Sequence, residues 1–121
     1  MIKIEKKYKK DNKMIQIKIE VFDEELTLEL RKTQYAYNGL MAIEAYNAET
    51  GEDFATLSVN LPRSQKLLEE NEFFFDDNND YFGIKKKMLE ENVISETGKS
   101  GKSGFCSYSV CQLLVVLPND I

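Results

Sequence analysis

Phe54-Ala-Thr-Leu-Ser-Val-Asn-Leu-Pro62 is the stretch whose reading decides the fold. Ala55, Leu57, Val59 and Leu61 fall on one face of an extended chain, and Thr56, Ser58 and Asn60 on the other. That period of two marks a half-buried strand. The β-branched Thr56 and Val59 suit a pleated surface, and Pro62, which cannot donate to a ladder, ends it. No residue of this strand has catalytic chemistry.

Upstream, Met14 to Val21 alternates in the same way, with Ile15, Ile17, Ile19 and Val21 on the inner face. Asp23-Glu24 makes a short turn, and Leu26, Leu28 and Leu30 repeat the period, so the two runs read as a hairpin. Asn38-Gly39 signals another turn, followed by a strand from Leu40 to Asn47. A polar loop, 48–53, leads into the strand at 54–62. Four strands with short connections imply an antiparallel meander with one face to be covered.

Downstream, 64–71 fits a short helical turn and Phe73-Phe74-Phe75 an apolar plug. Tyr81, Ile84 and Met88, with Phe82 and Leu89 beside them, fit one helical stripe to about Asn92, with Asp80 as its N-cap. Residues 96–104 read as a glycine-serine-lysine loop, and Phe105 to Leu117 as one or two closing strands, ended by Pro118. The expected order is ββββ-α-β: an α+β domain, with a mainly antiparallel sheet of about five strands covered by one main helix.

The chain has 121 residues, within the roughly 100–200 of a single domain. No apolar run approaches the roughly 18 residues of a membrane span. The N-terminal lysines have no apolar segment behind them, so no secretory signal is read there and a cytoplasmic location is expected. Cys106 and Cys111, five apart, point to opposite faces of a strand and read as small buried hydrophobes rather than a disulfide.

Histidine is absent from the sequence, which removes histidine-based triads, imidazole bases and histidine metal ligands. Thr97-Gly-Lys-Ser-Gly-Lys-Ser-Gly104 suggests a phosphate loop, but Glu96 stands where the first glycine belongs and strand-like residues follow where a helix is required. Asp76-Asp-Asn-Asn-Asp80 begins like a calcium loop, yet Tyr81 and Lys87 occupy the positions of its turn glycine and bidentate glutamate. The expectation is a non-enzyme with no cofactor and no metal.

Net charge is −5 and unevenly spread. Residues 1–13 hold six lysines against Glu5 and Asp11, a charge of +4, so the remaining body carries −9. That segment reads as a frayed or edge piece. A body this acidic repels phosphates, so direct nucleic-acid binding is not expected, and a basic protein surface is the natural partner. Glu69, Glu70, Glu72, Asp76, Asp77 and Asp80 place six carboxylates within twelve residues, interleaved with Phe74 and Tyr81. These eight residues form the candidate partner-binding surface, affinity coming from the rings and on-rate from the charge. The alternative is a solvated acidic face.

At Tyr35-Ala-Tyr-Asn-Gly-Leu-Met-Ala-Ile43, Ala55 to Pro62, Asp77-Asn-Asn79 and Ser103-Gly-Phe-Cys-Ser-Tyr108, the chain resembles a family of small domains of unassigned function common on bacterial plasmids, phages and integrative elements. The likeness covers roughly residues 33–115 and implies the same α+β architecture, without catalytic residues. By analogy it implies a counter-defence inhibitor of the anti-CRISPR type, binding a basic nucleic-acid-binding surface of a host protein such as a CRISPR-associated nuclease. The other expectation is a non-inhibitory accessory or structural domain of a mobile element, forming a homodimer through a sheet edge.

Overall fold

The computed structural model describes residues 14–119. The lysine-rich segment 1–13 therefore lies outside the described residues. The order is β1 (Ile15–Val21), β2 (Glu24–Gln34), β3 (Met41–Asn47), β4 (Asp53–Thr56), β5 (Ser58–Val59), a 3₁₀ turn (Pro62–Leu67), β6 (Glu72–Phe75), a second 3₁₀ turn (Asp77–Asn79), α1 (Ile84–Glu90), β7 (Ile94–Ser103) and β8 (Cys106–Leu113).

These strands form two four-stranded antiparallel sheets rather than one sheet of about five. The first is the expected meander, β1-β2-β3-β4, and the second has the order β5-β6-β8-β7. The extra sheet comes from two segments that sequence reasoning assigned otherwise. Phe73 to Phe75, expected as a plug, join Glu72 to form β6, which pairs with both β5 and β8. Residues 96–104 are expected as a loop, but 96–103 belong to β7, where Glu96 and Ser100 to Ser103 pair with β8 across an irregularity between Glu96 and Ser100 that absorbs Gly98.

The deciding stretch is not one strand. It breaks at Leu57, whose N–H donates to Ile43 C=O in the first sheet (2.8 Å). The Leu57 C=O accepts from Asp76 N–H at the end of β6 (2.8 Å). One residue thus hydrogen-bonds both sheets. The bend reverses the face of the next side chain, so Ser58, expected to face solvent, is 3% exposed. Its hydroxyl accepts from Ile43 N–H (3.0 Å) and lies 2.9 Å from the Tyr35 hydroxyl.

The main core lies between the sheets. Ile17, Ile19, Leu28, Leu30, Ile43 and Ala45 meet Phe73, Phe75, Ile94, Cys111 and Leu113, with Ile84 and Met88 of α1. Each large side chain so buried stabilises the fold by about 1.5–3 kcal/mol. The alternation of β6 sends Phe74 the other way, into a second cluster with Leu61 and Val110. The cover for the first sheet is therefore mainly the second sheet.

The helix is shorter than its apolar stripe suggested. It runs only over Ile84–Glu90, because Gly83 holds φ +69° and detaches Tyr81 and Phe82 from the helical run. Asp80 still caps it from three residues outside: its carboxylate accepts from Ile84 N–H (2.8 Å) and Lys85 N–H (3.1 Å). No helix among the described residues is long and apolar enough to cross a membrane. Cys111 is buried, and burial pushes its thiol up to about 11. Cys106, expected inside, is exposed beside the β7–β8 turn.

Candidate functional site

The eight residues of the acidic stretch do not form one surface. β6 separates them, with Glu69, Glu70 and Glu72 at its start and Asp76, Asp77, Asp80 and Tyr81 beyond its end. Phe74 lies between and is 1% exposed, so it has no ring to offer a partner.

Several carboxylates are taken up by the fold itself. Glu72 accepts from the Lys99 ammonium (2.7 Å) and from Glu69 N–H (3.0 Å). Burial pushes its pKa up, but the Lys99 hydrogen bond and the Glu69 N–H outweigh that and hold it below the usual value. Lys99 also donates to Leu67 C=O (2.6 Å) and lies 3.7 Å from Glu69. A lysine expected in a loop instead ties β7 to the 3₁₀ turn.

Asp77 is held in the same way. It accepts from the Lys85 ammonium (2.7 Å) and from Ser109 through both N–H (2.6 Å) and hydroxyl (2.7 Å). Burial acts to raise its pKa, yet these bonds win and lower it. Lys85 also donates to Ser109 Oγ (2.6 Å), which places a serine hydroxyl beside a lysine. Desolvation works against the Lys85 charge, but Asp77 keeps its pKa above the ordinary value. A lysine held protonated cannot take the serine proton, so the trio is a clamp rather than a nucleophile and base.

Asp76, Asp80 and Tyr81 do come together. They line a cavity of about 250 Å³ whose floor includes Leu57, Phe75 and Ile84 and whose wall is Phe54 and Phe82. Asp76 accepts from the Asn79 amide (2.9 and 3.1 Å), and the Tyr81 hydroxyl donates to Asn79 Oδ1 (3.3 Å). The Tyr81 side chain is 80% exposed. The rings of Phe22 and Phe54 approach Phe82 at 6.2 and 5.9 Å between centroids.

Two local backbone departures bring those rings together. Phe22-Asp23 is a two-residue turn with φ +51° and +67°, the geometry that matches strand twist in a tight hairpin. A register shift between β3 and β4 leaves Phe54 itself as the extra, unpaired residue, the kind of bulge that re-aims a side chain.

The same end of the first sheet is acidic. In an antiparallel meander, the first and third turns lie at one end, and Ala48 N–H donates to Thr27 C=O (2.9 Å), joining them. Glu20, Asp23, Glu24, Glu25, Glu49, Glu52 and Asp53 are all exposed there. Lys18 is 3.8 Å from Glu25. The cluster is not legible locally, because its two halves lie more than twenty residues apart and each reads by itself as a polar turn. The signal was available in the meander itself, which folds residues 20–25 and 49–53 onto one end.

Among the described residues, no three histidine, cysteine or carboxylate side chains are arranged to hold a metal ion. No curated protein and no solved structure matches the chain. The description of a domain of unknown function, DUF4313, matches residues 27–115, from β2 through β8, so the chain belongs to that family.

Proposed function

We propose that the protein is a non-enzymatic binding protein whose acidic, ring-bearing end occupies a basic nucleic-acid-binding surface of another protein. The observation that carries this reading is the convergence of seven exposed carboxylates with Phe22, Phe54, Tyr81 and Phe82 at one end of the first sheet. Carboxylates steer a basic partner and set specificity, and exposed rings supply the contact area that charge alone does not. The candidate surface moves accordingly from the whole of residues 69–82 to its second half together with the hairpin ends.

The sharper form of the proposal is a counter-defence inhibitor of a mobile genetic element, acting in the cytoplasm on a CRISPR-associated nuclease. It draws support from the body charge of −9, the lack of histidine and the likeness to domains common on mobile elements. Binding to immobilised CRISPR nucleases, with and without guide RNA and at low and high salt, tests it. Salt-sensitive binding that guide or target DNA displaces is expected. Failure to bind across a broad panel overturns the inhibitor form. A homodimeric accessory domain pairing through the edge of β1 or β4 is the other reading, and mass from light scattering at several concentrations separates the two.

A further inference from the structure

The acidic end holds a concavity as well as charge, and the two together specify a side chain. We infer that the cavity beside Phe82 receives an arginine from the basic partner, an inference that rests on the binding function proposed above. The cavity lining is largely apolar, from Phe54, Leu57, Phe75, Phe82 and Ile84, and also includes Asp76, whose carboxylate accepts from the Asn79 amide, and Asp80, whose carboxylate caps α1. An arginine matches both parts: its methylenes lie along apolar surface while its guanidinium stays beside the carboxylates. The volume is sufficient, since about 250 Å³ exceeds the roughly 150 Å³ that holds a benzene ring.

The rings favour arginine over lysine. A planar, weakly hydrated guanidinium stacks on aromatic faces, whereas a compact ammonium keeps its water. Tyr81 lines the cavity and is 80% exposed, and Phe22, 89% exposed, stands outside the lining with its ring edge-on to Phe82. The hairpin-end carboxylates bring the cation in, and the cavity selects among cations.

Nona-arginine and nona-lysine carry equal charge and separate attraction from stacking. Titrated at low and moderate salt and followed by tyrosine fluorescence and ring proton shifts, nona-arginine is expected to bind about fivefold more tightly. Its shifts should centre on Phe22, Phe54, Tyr81 and Phe82. In the Tyr81→Ser variant, whose ring is outside the core, the preference should fall towards one while charge-driven binding persists. Phe22→Asn provides a second variant with the same expectation. Equal binding of the two peptides, or a preference that survives both variants, overturns the arginine site and leaves the acidic surface standing. Absence of binding by either peptide at low salt overturns the surface as well.

Discussion

Phe22 sits in the left-handed region at φ +51° with its ring 89% exposed, a costly place for a bulky side chain. Such a conformation costs of order 1–3 kcal/mol, and asparagine tolerates it far better. Phe22→Asn should therefore raise the melting temperature by a few degrees while weakening arginine selectivity. A lowered melting temperature would mean that the ring contact with Phe82 outweighs the backbone strain. Ser58 presents the opposite case, a small residue on which a buried N–H depends. Ser58→Ala leaves Ile43 N–H without its acceptor and should cost about 1–3 kcal/mol, read as a lower urea midpoint. Alternation alone placed Ser58 outside; the hydrogen bonds of Leu57 to both sheets, which no local pattern encodes, put it inside.

At the scale of elements, the meander β1 to β4 was legible because each strand carries its own period of two and each turn its own signal. The second sheet was not. β6 is only four residues long and buries Phe73, Phe74 and Phe75 on two faces, so no alternation distinguishes it from a plug. β7 carries glycines, serines and lysines because its register shift and close packing need them. A Cβ on Gly101 would lie 2.7 Å from the Phe74 ring and 3.2 Å from Leu61. Gly101→Ala should thus destabilise by about 1–3 kcal/mol, seen in thermal melts, by forcing Phe74 from its seat. The Asp77–Lys85–Ser109 clamp joins the second 3₁₀ turn, α1 and β8. Asp77 has a lowered pKa, so its stabilisation is complete above the ordinary carboxylate value, about 4, and is lost as pH falls below it. Glu72 acts in the same direction. Asp77→Asn should lower stability at neutral pH and flatten its fall between about pH 5 and 2, as followed by circular dichroism.

The whole molecule carries its charge asymmetrically, and the fold concentrates part of it where the rings are exposed. Sequence alone yielded the acidity of the body. Of the eight residues singled out from the sequence, the fold brings Asp76, Asp80 and Tyr81 to one cavity, ties Glu72 and Asp77 to lysines and buries Phe74, an arrangement that depends on pairings no local pattern encodes. Two double variants of equal charge change separate the hairpin end from the start of β6. Glu24→Lys with Glu49→Lys reverses charge at the hairpin end, and Glu69→Lys with Glu70→Lys reverses it near the start of β6. The measurement is their affinity for a basic nucleic-acid-binding protein that the natural chain binds, taken at two salt concentrations. The account predicts that the first set loses most of the affinity and of its salt dependence, and that the second set binds like the natural chain. Loss confined to the second set, with the first unaffected, would contradict it.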